Sequence, residues 1–164
     1  MRTIIHDLND NELKDINFNS GDKVISSLNC NHNCIGCFSC WLKHPKKCIF
    51  NDDFSNITDF LKDSDEFIII SRNRYGSYSA PVKRVLERCI GYVLPYFTIR
   101  SNEIHHKSRY DKKLKLSVYF YGDITEDDKI VMDKLVNANC INLNANEYKV
   151  NYVNNLKEDM KCIL

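Results

Sequence analysis

The chain has 164 residues, 43% of them hydrophobic and 27% charged, which suits one ordinary soluble domain with a real core. Lys+Arg less Asp+Glu is 23 − 22 = +1, which excludes a partner reached through a net basic field, whether nucleic acid or an anionic membrane. No purely apolar run exceeds four residues, as in Phe67–Ile70, against the roughly 20 that span a bilayer, and the five scattered glycines allow neither GxGxxG nor a Walker loop.

In chain order, Thr3–Leu8 and Asp22–Leu28 are β-branched, apolar runs ended by Asn/Asp clusters, which suits strands. Only about 13 residues, Asn9 to Gly21, separate them, so the first crossover is expected to be abbreviated, with two turns of helix around Glu12–Ile16. A short helix around Ile57, Phe60 and Leu61 leads into Glu66–Ser71, whose continuous Phe67-Ile68-Ile69-Ile70 run predicts a central strand covered on both faces. Val82, Val85, Leu86, Cys89, Ile90 and Val93 repeat at helical spacing, with Lys83, Arg84, Glu87 and Arg88 on the opposite face and Pro81 and Pro95 at the two ends. His105-His106 and Arg109-Tyr110 read as a polar, solvated loop. Leu114–Tyr121 is the fourth strand and Glu147–Val153 the fifth, and between them Thr125 and Asp128 form a capping box ahead of a Val131, Leu135, Ala138 stripe. Strands alternating with helices predict an α/β fold with a doubly wound, five-stranded parallel sheet and a ligand crevice beyond the carboxyl ends of the strands. Residues 1–164 read as a single domain. The acidic start after Ile5 argues against an export signal, so the expected location is cytoplasmic and the thiols reduced.

Five of the eight cysteines fall within residues 30–48, and Cys34, Cys37, Cys40 and Cys48 stand as C-x2-C-x2-C-x7-C. Repeated x2 steps bring several thiolates together from one tight loop, as a [4Fe-4S] cluster requires, whereas structural zinc usually takes two separated C-x2-C pairs. Zinc or simply buried thiols are the alternatives. Gly36 lets the backbone take positive φ, and Lys43, Lys46 and Lys47 offset thiolate charge. His32 and His44 flank the loop as lesser ligand candidates, and Cys30 is a lesser substitute. Trp41 reads as a partly buried anchor, and Cys89 as core packing.

Cys34-Ile35-Gly36-Cys37-Phe38-Ser39-Cys40-Trp41, Cys48, Asn51-Asp52-Asp53, the segment Tyr75-Gly76-Ser77-Tyr78-Ser79-Ala80-Pro81-Val82-Lys83 and Arg88 resemble the NADPH-dependent FMN reductase branch of the flavodoxin superfamily, and within it the iron-sulfur flavoproteins. The resemblance implies a flavodoxin-like sheet in the order 2-1-3-4-5, with the cysteine-rich loop, residues 30–53, inserted after strand two. It implies FMN beside Arg74, Tyr75, Gly76, Ser77 and Tyr78, and a [4Fe-4S] cluster on Cys34, Cys37, Cys40 and Cys48. The activity it implies is that of an oxidoreductase or electron-transfer flavoprotein, with NAD(P)H or ferredoxin as donor, a small-molecule acceptor and a homodimeric or homotetrameric assembly. Two features depart from the family. Asp7-Leu8-Asn9-Asp10-Asn11-Glu12 replaces the Ser/Thr- and Gly-containing loop that binds the FMN phosphate, and Pro45-Lys46 stands where Pro-Gly is common. The alternative reading is therefore a degenerate flavodoxin-like metal-binding or sensing module that has lost FMN.

Overall fold

A computed structural model describes residues 1–14, 16–100 and 102–160. The elements are β1 (Arg2–His6), α1 (Asp10–Leu13), β2 (Lys23–Ser26), α2 (Ser39–Leu42), α3 (Ile57–Asp63), β3 (Glu66–Arg72), α4 (Ala80–Arg88), β4 (Val93–Arg100), β5 (Glu103–Ser108), β6 (Lys115–Tyr121), α5 (Glu126–Asn142), β7 (Glu147–Val153) and α6 (Leu156–Asp159). Five strands form one all-parallel sheet in the order β2-β1-β3-β6-β7, which is the expected 2-1-3-4-5 arrangement once the extra pair β4-β5 is set aside.

β3 lies at the centre because both of its faces are apolar. Phe67 and Ile69 point into a core with Val82, Val85, Met132 and Val136 from α4 and α5. Ile68 and Ile70 point the other way, into a smaller core with Ile4, Leu8, Tyr121 and Met160. Because successive side chains alternate across a strand, an uninterrupted apolar run is what burial on both faces requires. The second face is thinly covered: α1 and α6 have four residues each, so Leu8, Ile16 and Tyr121 do much of the shielding. Among the described residues no helix is long and apolar enough to cross a membrane.

Four local expectations are corrected. α1 is one turn rather than two; Asp15, inside the helix expected over Glu12–Ile16, lies outside the described residues. α4 stops at Arg88, and Cys89–Tyr92 is a 3-10 turn. The carbonyls beyond that point are taken by side chains, the Trp41 indole donating to Ile90 and Val93 and the Arg109 guanidinium to Gly91 and Val93, so they are lost to a continuing helix. Pro95 accordingly sits in a strand. The segment carrying His105 and His106 is not a solvated loop but half of an antiparallel hairpin, β4-β5, pairing Phe97 with His106 and Thr98 with His105. Val93, Tyr96, Phe97, Thr98 and Ile99 supply the β-branched and aromatic content that favours it. The buried stripe of α5 is Met132, Val136 and Cys140; of the expected Val131, Leu135 and Ala138, Leu135 packs partly buried against the core and the other two are exposed. The capping box of Thr125 and Asp128 is as expected.

Candidate functional site: the cysteine cavity and the strand-end crevice

The chain leaves β2 through a 3-10 turn and reaches Cys30, whose side chain is fully buried and whose carbonyl accepts a 2.7 Å hydrogen bond from Arg84. Residues 31–38 then run mostly exposed, turning on left-handed backbone at Gly36 (φ 64°) and Phe38 (φ 54°). α2 follows, and a third left-handed residue, Lys46 (φ 77°), occupies the place where glycine is common in the family that the loop resembles. A non-glycine residue there costs on the order of 1 kcal/mol. The loop closes where the Cys48 amide donates to the Ser55 carbonyl at 2.9 Å.

This path brings Cys34, Cys37, Cys40 and Cys48 around one small hollow of about 30 Å3, walled by Ile35, Phe38, Ile49, Phe50 and Ile90 and by the side chain of Arg88. All four are free thiols; Cys37 is exposed and the others are partly buried. Burial, followed by the charges of Cys48 and Cys34, pushes the Cys40 thiol up. Among the described residues no three His, Cys, Asp or Glu side chains are placed to hold one metal ion. Tetrahedral zinc at about 2.3 Å would need its sulfurs to converge to within about 3.8 Å of each other. Neither His32 nor His44 lines the hollow: His32 stacks on Phe50 with ring centroids 4.4 Å apart, and His44 is exposed. Cys30, Cys89 and Cys140 are buried elsewhere, and Cys162 lies outside the described residues.

Arg88 is the residue that sequence reasoning misplaced. Helical spacing sets it on the solvent face of α4, yet its side chain is wholly buried. Its Nη1 and Nη2 each donate to Asp52 at 2.6 Å, Nη1 also lies 3.6 Å from the Cys30 sulfur, and the guanidinium sits over the rings of Phe50 and Phe54. Burial opposes its charge, but the hydrogen bonds to Asp52 and Cys30 and the charge of Cys48 outweigh it and push its pKa up. The same bonds hold Asp52 below the usual carboxylate range. Nε alone is buried with no partner, an omission that typically costs about 1–3 kcal/mol. The only sequence signal for this contact was the acidic Asn51-Asp52-Asp53 stretch, which says nothing of its partner.

The lysines expected to offset thiolate charge do not line the hollow, and Lys46 pairs with Asp59 at 3.4 Å instead. Gly91 lets the loop dock closely, since a Cβ there would stand 3.0 Å from Thr58 Oγ1 and 3.4 Å from the Cys40 Cβ. Trp41 is the anchor expected, its ring lying between Phe38 at 5.2 Å and His106 at 4.9 Å.

At the carboxyl ends of β1 and β3 several polar groups pair with one another, while His6 Nδ1 is buried without a partner among the described residues. Asp7 accepts the Arg72 amide on both carboxylate oxygens at 3.1 Å and the Tyr121 hydroxyl at 3.0 Å; burial, then Asp7 and Glu12, push that phenol up. Asn9 caps α1, accepting from the amides of Asn11 and Glu12, while Glu12 accepts from the Asn9 amide and from Arg72. A cleft of about 660 Å3 opens here, lined by Asn9, Glu12, Arg72, Tyr121, Asn154 and Lys157 among others.

The loop after β3 divides its candidates. Arg74 and Ser77 exchange backbone hydrogen bonds around Tyr75, which is 97% exposed, and Gly76, which is buried against Val131. Tyr78 leaves this group for the core, stacking on Phe120 and accepting from Asn139, with burial raising its pKa to about 12.

No family model matches the sequence, and no curated protein does either. In overall structure the chain is similar to an FMN-dependent NADH-azoreductase from Bacillus anthracis, solved in complex with FMN. The TM-score is 0.52 at 12% identity, over 99% of this chain and 93% of that one. The fold is flavodoxin-like. In a flavodoxin-like sheet the crevice at the switch between outward-running connections lies at the ends of β1 and β3, which is where Asp7, Asn9 and Arg72 are found.

Proposed function

We propose that this chain is a redox protein that carries electrons on a [4Fe-4S] cluster bound by Cys34, Cys37, Cys40 and Cys48. The observation that supports this reading best is that four thiols and one buried cation line the same apolar hollow. The donor set suits the group in its chemistry: it is all thiol and it rises from one loop. Such a cluster supplies a one-electron couple. The chain's own residues do the rest. Arg88 offsets the negative charge, Phe50 and Ile90 keep water from the inner wall, and the exposed edge at Cys37 faces outward for exchange with a partner.

Anaerobic reconstitution with ferrous iron and sulfide tests this. A visible absorbance band that bleaches on dithionite addition, with a paramagnetic signal in the reduced sample, is the expected result. Uptake of one zinc per chain in competition, with no such band, overturns it.

The fold's likeness to a flavin enzyme and the cleft at the strand ends support a second reading, an FMN-dependent oxidoreductase with NAD(P)H or ferredoxin as donor and a small-molecule acceptor, assembled as a dimer or tetramer. Arg74, Tyr75, Gly76 and Ser77 would then border the ring, with Tyr78 supporting from the core. The phosphate half of FMN does not fit the β1–α1 turn, whose amides are bonded to its own side chains and whose Asp7, Asp10 and Glu12 repel a dianion. Titration with FMN and with riboflavin separates the readings: similar affinities fit a ring-only site, a strong preference for FMN shows a phosphate site, and no binding removes flavin from the account.

A further inference from the structure

We propose that Arg88 sets the redox potential of the centre held by the four cysteines, donating its Nε–H toward that centre while Asp52 fixes its orientation and moderates its charge; the inference rests on the cluster reading above.

The geometry carries it in three steps. A guanidinium has five donors in a rigid fork, and here the Asp52 carboxylate takes the fork end-on, through Nη1 and Nη2 at 2.6 Å each. End-on pairing leaves Nε unused, and that nitrogen is buried with no hydrogen-bond partner among the described residues. The same side chain, wholly buried, forms part of the wall that Cys34, Cys37, Cys40 and Cys48 share. A donor without an acceptor among the described residues thus lies on a residue that borders the four thiols. The rings of Phe50 and Phe54 hold the guanidinium in a low-dielectric position, so its charge acts on the hollow with little screening.

The electrostatic consequence has a definite sign. Reduction adds one electron and one negative charge to the centre, so a fixed cation and a hydrogen-bond donor favour the reduced form and raise the potential. Asp52 has the opposite effect. Removing the two partners must therefore shift the potential in opposite directions, whereas a purely structural clamp gives no reason for opposite signs.

The test is a dithionite titration of the reconstituted wild-type protein and of Arg88→Gln and Asp52→Asn, with iron and sulfide counted in each sample. Arg88→Gln is expected to weaken one-electron reduction at least tenfold, a fall of about 59 mV for one electron. Asp52→Asn is expected to raise the potential. Unchanged potentials at full cluster content, or shifts in the same direction, overturn the inference. Where Arg88→Gln fails to hold the cluster, Asp52→Asn decides: a rise supports the inference and no rise overturns it. A wild-type sample that takes up no iron and sulfide contradicts the cluster reading itself, and the inference with it.

Discussion

Two turns beside the same sheet edge, the one after β1 and the one after β2, treat their polar groups in opposite ways. The turn after β1 is closed on itself: Asn9 and Glu12 satisfy each other's amides, and Asp7 is spent on the backbone of Arg72 and the hydroxyl of Tyr121. The loop after β2 holds four thiols around a hollow, beside a buried guanidinium nitrogen with nothing to bond. The β1–α1 turn thus pairs its own amides, whereas among the described residues the cysteine loop stands beside a donor left unpaired.

The sharpest way to break the contrast is to remove a thiol. Cys40→Ser should abolish cluster uptake in anaerobic reconstitution while leaving the circular dichroism of the sheet intact; full iron content in that variant would refute its assignment as a ligand. Next in size is Arg88→Met, which leaves the half-buried Asp52 without its partner. A loss of about 2–3 kcal/mol in urea unfolding is expected, even without iron. The same pair fixes a pH dependence. Its hydrogen bonds to Arg88 hold Asp52 below the usual range, so the pair's stabilisation is present above the unfolded carboxylate value near about pH 3.9 and is lost as pH falls through the lower folded value. In Arg88→Met that acid-side loss should be absent.

Gly91→Ala comes third. Its Cβ would meet Thr58 and Cys40, so a cost of about 1–3 kcal/mol and reduced iron uptake are expected, measured by urea unfolding and metal analysis. Smallest is Asn9→Ala, which uncaps α1 at a cost of about 1 kcal/mol in the same unfolding assay. It also returns the amides of Asn11 and Glu12 to solvent, so the FMN-to-riboflavin affinity ratio should rise; a ratio that stays put would contradict a role for self-capping in phosphate binding.

The sheet was legible in the sequence because its signal is periodic and local: Phe67–Ile70 could only be a strand buried on both faces, and Asn9–Gly21 was too short for a full crossover. The acidic, Asn-rich composition of residues 7–12 was legible, but its closure through Asn9 and Glu12 was not. Errors arose where distant contacts override local pattern. The apolar spacing of Ile90 and Val93 continues past Arg88, yet Trp41 and Arg109 take the carbonyls that a longer helix would use. Arg88 sits on the polar face of α4 by sequence and is buried because Asp52, 36 residues earlier, brings a carboxylate to it. The β4-β5 hairpin was missed because its histidines and lysine read as solvent-facing, while His106 packs against Trp41 and Phe97. The cysteine spacing suggested a shared centre, but only the fold shows which side chains wall it.

The claim that the cysteine loop is the functional centre meets its most direct test in the iron and acid-labile sulfide content of protein purified from its cells without exposure to oxygen. The account predicts about four iron and four sulfide per chain, as a [4Fe-4S] cluster requires. One zinc per chain and no sulfide would contradict it.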